Sequence, residues 1–375
     1  MNILIFFIIL LILVLVHEFG HFFAAKKFGI RVDEFGFGFP PKLFGIKKGE
    51  TEYTFNLFPI GGFVKIFGEN PNEAEDLEAL PPLGGKASKS GSFSFKPKWQ
   101  QAVVLSAGIL ANFLLAFLLF SYAFISGLPV AADEGFAGYI PKDVNTVIIS
   151  VIPGLPAANA DLRPGDKIIS MKNSRETLTL INPDKIKIFI ISSIGDEIEI
   201  GFVRSSKTNK LLFTKVIPIV SGPNEDPVVG ISMDQIGIVK LPIWLALPEG
   251  MKMTTSAIKE TVVGLFKLAK ESLMGNGSLD NVAGPVGLVG MVGEVYGFGF
   301  SYLISFTALI SINLGIINLV PFPALDGGRL FFLLIEKIKG SRINRKFFNI
   351  ANMTGFAILI LFMLAVTYKD ITKLF

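Results

Sequence analysis

The sequence predicts a polytopic α-helical membrane protein with four transmembrane helices and an α+β module inserted between the second and third. Three observations carry that class. Hydrophobic residues make up 51% of the 375 and charged ones only 18%, and the mean hydropathy of +0.57 is too high for an ordinary soluble enzyme. The apolar surplus gathers toward the two ends, leaving a polar, Gly- and Pro-containing middle. Four segments have about the length and oiliness that cross a bilayer: roughly 2–24, 100–125, 298–319 and 352–368, the last relying on its flanks.

The first span is expected to be retained rather than cleaved as a signal peptide. Its opening "MNILIFF" has no Lys or Arg, and Lys26 and Lys27 follow the apolar run. Basic residues near the span ends set orientation. Lys26, Lys27 and Arg31 follow span 1, and Lys96 and Lys98 precede span 2. Arg329, Lys337, Lys339, Arg342, Arg345 and Lys346 lie between spans 3 and 4. Both connections are therefore expected in the cytoplasm, with residues 126–297 and both termini outside a cell membrane. The net charge of +4 is modest, and no basic tract of nucleic-acid type is present.

Span 1 also carries His17, Glu18 and His21, three ionisable side chains that are costly in hydrocarbon without partners or a function. They form an H-E-x-x-H pattern. At ~3.6 residues per turn the two imidazoles share a helix face and can reach one metal ion. Neutral imidazole suits zinc, and a catalytic zinc keeps three protein ligands and one open position. Glu18, beside the first ligand, is placed to act as a general base. A packing role would be the plainer reading in a soluble helix; inside a span it gives no reason to bury these groups.

The third ligand follows by elimination. The chain has no Cys and only these two His, which excludes disulfides, thiolate zinc sites and cysteine nucleophiles and leaves a carboxylate. Asp326 in "INLVPFPALDGGRLFF" is the candidate, at the expected cytoplasmic end of span 3. Pro321, Pro323, Gly327 and Gly328 interrupt the helix there, and broken backbone at membrane depth is tolerated where it is buried in protein or lines a cavity. The alternative for Asp326 is an ordinary cap or turn residue.

In the middle of the chain, "TVIISVI", "DKIISMK", "DEIEIGFVR" and "LLFTKVIPIV" read as short strands separated by turns. "PGLPAANADLRPGDKIISMKN" resembles a PDZ domain, with a short helix around Ala157–Ala160 and a turn at Gly165 and Asp166. Asp161 departs from the Gly such domains commonly show. "NPDKIKIFIISSIGDEIEI" fits the helix and strand lining the groove. Such domains bind extended peptides as an added strand, so peptide C-termini are a candidate partner; a spacer or lid is the alternative. Residues 242–275 read as an amphipathic helix. The expected division is 1–125, an N-terminal membrane part; 126–222, the PDZ-like domain; 223–297, an amphipathic helical connector; and 298–375, a C-terminal membrane part.

Together, H-E-x-x-H in the first span and N-x-x-P-x-P-x-L-D-G-G over Asn318 to Gly328 resemble the site-2 protease family of intramembrane zinc metalloproteases. The likeness is to its bacterial branch that cleaves anti-sigma factors and carries PDZ domains. "GFGFPPKLFG" (36–45), "FNLFPIGGFVKIFGE" (55–69) and "NVAGPVGLVG" (281–290) extend the resemblance over essentially the whole chain. It implies His17, His21 and Asp326 as zinc ligands and Glu18 as the general base. Ile109, in "SAGILANFLLA", stands where the family usually shows Pro.

The resemblance also implies a membrane-dipping β-hairpin in "TEYTFNLFPIGGFVKIFG" (51–68), interrupted at Pro59-Ile60-Gly61-Gly62. A transmembrane substrate must unwind to expose its carbonyls, and its freed backbone groups then need partners. The free edge of this segment can supply them, making Phe55, Leu57, Gly61 and Gly62, with Asn318, the candidate substrate-binding residues. Asn318 and Asn112 could instead serve as inter-span glue. The expected activity is zinc-dependent hydrolysis of peptide bonds within or near the membrane segments of single-span proteins, such as anti-sigma factors or remnant signal peptides. A silent scaffold presenting the PDZ-like module is the alternative, but it would be expected to lose Glu18 or Asp326. A metal transporter is disfavoured because no second polar relay crosses the membrane.

Overall fold

The computed structural model describes residues 2–69, 91–133, 135–179, 181–204, 210–220, 226–275 and 282–372. The expected module end at 221–222 and Asn281 of the 281–290 motif lie outside them. In chain order the helices are α1 (Asn2–Lys27), α2 (Lys98–Ser126), α3 (Pro156–Asn159), α4 (Pro183–Ser192) and α5 (Ile243–Leu273), then α6 (Pro285–Phe298), α7 (Phe300–Leu319), α8 (Asp326–Lys339) and α9 (Arg345–Thr372).

Among the described residues, α1, α2, α7 and α9 are long and apolar enough to cross a membrane. With Ile at 109, α2 runs unbroken for 29 residues. The fourth span is longer than its hydropathy suggests: α9 begins at Arg345, because Asn349 and Asn352 lower the apolar signal without breaking backbone hydrogen bonds. The backbone break after α7 is confined to residues 320–325, where Ala324 takes φ 76° and its N–H donates to Asn352 Oδ1 at 3.0 Å. Helix α8 then starts at Asp326 itself, an element the Pro- and Gly-rich sequence conceals.

The chain divides into two units, one of Met1–Leu118, Lys252–Gly290 and Thr307–Phe375, the other of Leu119–Met251 and Met291–Phe306. In the first, β1 (Val32–Lys48) and β2 (Thr51–Ile66) form an antiparallel pair that folds back on itself. Phe35 pairs with both Val64 and Tyr53, and Phe37 with both Gly62 and Phe55, so the first half of β1 is flanked on both sides. Ala24, Ala25, Ile30, Val32, Ile66 and Leu105 pack into one apolar cluster beneath it.

The second unit holds a seven-stranded sheet. Strands β3 (Leu128–Ala131), β4 (Lys142–Val151), β5 (Lys167–Lys172), β7 (Ile198–Val203), β8 (Leu211–Val216) and β9 (Ile231–Val239) lie in the order β3-β9-β4-β5-β7-β8, with β6 (Thr177–Leu178) beside β5. Its core gathers Ile148, Ile168, Met171, Ile198 and Ile200 from the strands, with Ile186 of α4 packed against them. Two strands differ from expectation. The segment 223–297 is not a helical connector throughout, because β9 enters the sheet between β3 and β4; its Ser232, Asp234 and Gln235 dilute the strand signal. β3 is too short to register.

Asp161 takes φ 56°, the left-handed region that Gly enters most readily and Asp tolerates. Hydrogen bonds from Arg163 and then Arg204 hold its carboxyl below the usual range. Asp166 is fully buried and accepts from Arg163 N at 2.9 Å and from Arg204 Nε and Nη2 at 2.7 Å each.

Candidate metal centre

The site is built from three helices of the first unit. On α1, His17 and His21 stand one turn apart, and both are buried at 7% exposure in the apolar helix. Helix α2 presents Val104, Gly108 and Asn112 at four-residue intervals, which places them along one face. Each of the three touches the imidazole pair. His21 Nδ1 donates to the Val104 carbonyl at 2.8 Å. Gly108 lets α2 approach the ring, since a Cβ there would stand 2.3 Å from His21 Nε2. Asn112 Nδ2 lies 3.2 Å from His17 Nδ1, and the Asn112 backbone carbonyl accepts from Ser311 Oγ of α7 at 2.8 Å.

Asp326 enters at the first position of α8. Its Oδ2 is 2.9 Å from His17 Nε2 and 3.2 Å from His21 Nε2, and the two Nε2 atoms are 3.2 Å apart. Ion pairs fix that helix: Lys98 of α2 holds Glu336, and Glu69, just beyond β2, holds Arg329. Gly327 is required because a Cβ there would lie 2.3 Å from the carbonyl oxygens of Leu319 and Val320.

The ligand atoms all lie within 4.8 Å of one another. A tetrahedral ion with donors at ~2.0–2.1 Å holds them roughly 3.3 Å apart, close to the separations found. Two imidazoles and one carboxylate also fit a divalent ion chemically, leaving one coordination position open.

Glu18 follows His17 on α1 and is half-buried. A Cβ at Gly62 of β2 would stand 3.0 Å from the Gly36 carbonyl oxygen and 3.3 Å from Leu15, with Glu18 Cγ at an ordinary contact distance of 3.9 Å, so the strand passes close beside the acid. Among the described residues Glu18 has no hydrogen-bond partner. Gly61 takes φ 88° beside the Phe39 ring. Phe55 is stacked between Phe37 and Phe44, with centroids at 4.6 and 4.7 Å, while Leu57 is 49% exposed. Asn318 lies on the last turn of α7, half-buried and without a hydrogen-bond partner among the described residues.

The structure thus gathers His17, His21 and Asp326 at one point and brings Gly62 to Glu18. Sequence reasoning missed Val104, Gly108 and the contact made by Asn112. A backbone carbonyl leaves no letter in the sequence. Gly108 and Asn112 lie in the quoted "SAGILANFLLA", where their four-residue spacing was the available signal.

Residues 5–362 match the family described as Peptidase family M50. The chain is 31% identical to the regulator of sigma-W protease RasP of Bacillus subtilis, over 99% of this chain and 98% of that one. It is also 31% identical to the zinc metalloprotease RasP of Geobacillus kaustophilus, over 97% and 96% of the two chains.

Proposed function

This chain belongs to peptidase family M50, the site-2-type metalloproteases, and from that premise we propose that its zinc is held by His17, His21 and Asp326, with Glu18 as the general base of intramembrane peptide hydrolysis. The single observation that carries the reading is the meeting of both imidazole Nε2 atoms at one Asp326 oxygen, 2.9 and 3.2 Å away.

Zinc, when bound, supplies Lewis acidity toward water and the scissile carbonyl. Glu18 accepts the proton of the attacking water and passes it to the leaving amine, an exchange that a carboxylate beside the ligands can complete without moving the backbone. The substrate is a single-span membrane protein whose helix opens locally, its freed N–H and C=O groups pairing with the strand edge around Gly61 and Gly62. Gly62 lies alongside Glu18, which sets that strand edge next to the general base. The exposed Phe39, Leu43, Phe44 and Leu57 of β1 and β2 suit a hairpin dipping into lipid. Asn318, at the end of α7, is available to the same substrate strand. The basic residues flanking the spans favour a cytoplasmic hairpin side, with the sheet unit and both termini outside the cytoplasmic membrane of a bacterium.

The sheet unit fits a PDZ-like reader of peptide C-termini. Its groove runs between α4 and β9, lined by Leu155, Ile190, Val229 and Met233. β3 pairs only with Ile236–Val239 of β9, and no described strand covers Ile231–Asp234 on that side, so a short edge is open to an incoming strand. Anti-sigma factors and remnant signal peptides are the candidate substrates.

The decisive experiment is Glu18→Gln in the full chain, assayed on a reporter with a helix-breaking transmembrane segment. Cleavage is expected to fall at least ~100-fold with zinc still bound. Retained cleavage would remove Glu18 from the mechanism.

A further inference from the structure

We propose that Asn112 is a positioning residue for the metal centre: its side-chain carbonyl takes the Nδ1 proton of His17 and so leaves Nε2 free to ligate. The proposal rests on the reading of His17 as a zinc ligand. Three observations point to it. Asn112 is wholly buried, its Nδ2 lies 3.2 Å from His17 Nδ1, and its Oδ1 has no hydrogen-bond partner among the described residues. A buried amide oxygen without a donor is destabilising, so such an atom needs an explanation.

The two imidazoles supply one. A ring that ligates through Nε2 carries its proton on Nδ1, and that proton needs an acceptor which fixes the tautomer and the ring plane. His21 has a permanent acceptor in the Val104 carbonyl. His17 has Asn112 instead. With the amino group facing Nδ1, as it stands, the ring proton sits on Nε2 and is donated to Asp326 Oδ2. That pattern gives both nitrogens of His17 a partner without a metal but leaves Asn112 Oδ1 without a donor. Ligation moves the proton to Nδ1, where an amino group is the wrong partner. A half-turn of the Asn112 amide, a soft two-fold torsion, brings the unpartnered Oδ1 to the position Nδ2 now holds. Asn112 therefore serves either tautomer, which the fixed carbonyl at His21 does not. Its place in the middle of α2, one turn beyond Gly108, keeps it against the ring in both states.

The test measures zinc affinity of the purified full chain in detergent by competition with a chromophoric chelator, alongside thermal unfolding in EDTA. Asn112→Leu, or the smaller Asn112→Ala, is expected to weaken zinc binding ~10–100-fold with metal-free unfolding little changed. Asn112→Asp, an acceptor in any orientation, should restore affinity to near that of the native chain. Zinc held by Asn112→Leu as tightly as by the native chain would overturn the proposal. So would Asn112→Asp binding no better than Asn112→Leu, which would leave Asn112 a packing residue. His17→Ala is measured in parallel: zinc retained there sinks the ligand assignment itself, whereas zinc lost there but retained in Asn112→Leu sinks only the role of Asn112.

Discussion

Two buried or half-buried aspartates, one in each unit, meet different company. Asp166 in the sheet unit is enclosed by donors: the guanidinium of Arg204 grips both oxygens, and the Arg163 N–H adds a third bond. Its charge is answered within the protein, and the surrounding core is apolar. Asp326 meets two imidazoles, each of which in its neutral form also offers a lone pair. His21, whose Nδ1 proton goes to the Val104 carbonyl, faces the carboxylate with its Nε2 lone pair, and two acceptors facing one another are a poor arrangement for stability and a good one for a cation. Burial of a charge is thus weak evidence of function by itself; convergence of groups that all lack the same counter-ion is stronger.

The comparison can be broken most directly at Asp326. Asp326→Asn should lose zinc, measured by elemental analysis of the purified chain, and cleavage should vanish with it while the helices stay folded by circular dichroism. Unchanged zinc content would make another carboxylate the ligand. The matching change in the sheet unit, Asp166→Asn, should leave zinc content intact. It should instead destabilise that unit by about 2–3 kcal/mol, because the Arg204 guanidinium loses its charged partner; limited proteolysis in urea reads the difference. The smallest effect is expected at the exposed Asp161. Asp161→Gly relieves a left-handed backbone and removes ion pairs of little worth, so stability should change by under about 1 kcal/mol. The native carboxyl is held below its unfolded value of about 4, so its contribution is present above that pH and fades as pH falls through the lowered value. Denaturant titrations should accordingly shift in favour of the variant in acid.

Much of the molecule is legible in its letters because the membrane makes polar residues conspicuous. His17, Glu18 and His21 stand out against apolar neighbours, and the absence of Cys and other His points the search for a third ligand to a carboxylate. The strands of the sheet core alternate clearly, as in "TVIISVI". What escaped was set by tertiary context. β9 is a strand because β3 and β4 flank it, not because its own residues insist. α8 begins where Pro and Gly argue against a helix, and its amphipathic turn becomes visible only once its partners on α2 are in place. Asn112 reads as inter-span glue until the ring beside it is seen.

His17 and Asp326 are separated by 309 positions in the chain. At about 5–20 residues per second, a ribosome needs on the order of 15–60 s to travel from the first to the last of the three proposed ligands. Throughout that interval the nascent polypeptide already displays its imidazoles and Glu18 but has no acid to complete the triad. On the proposed ligand set, a half-made copy lacks its hydrolytic centre, which is complete only once Asp326, behind the third apolar helix, has been synthesised.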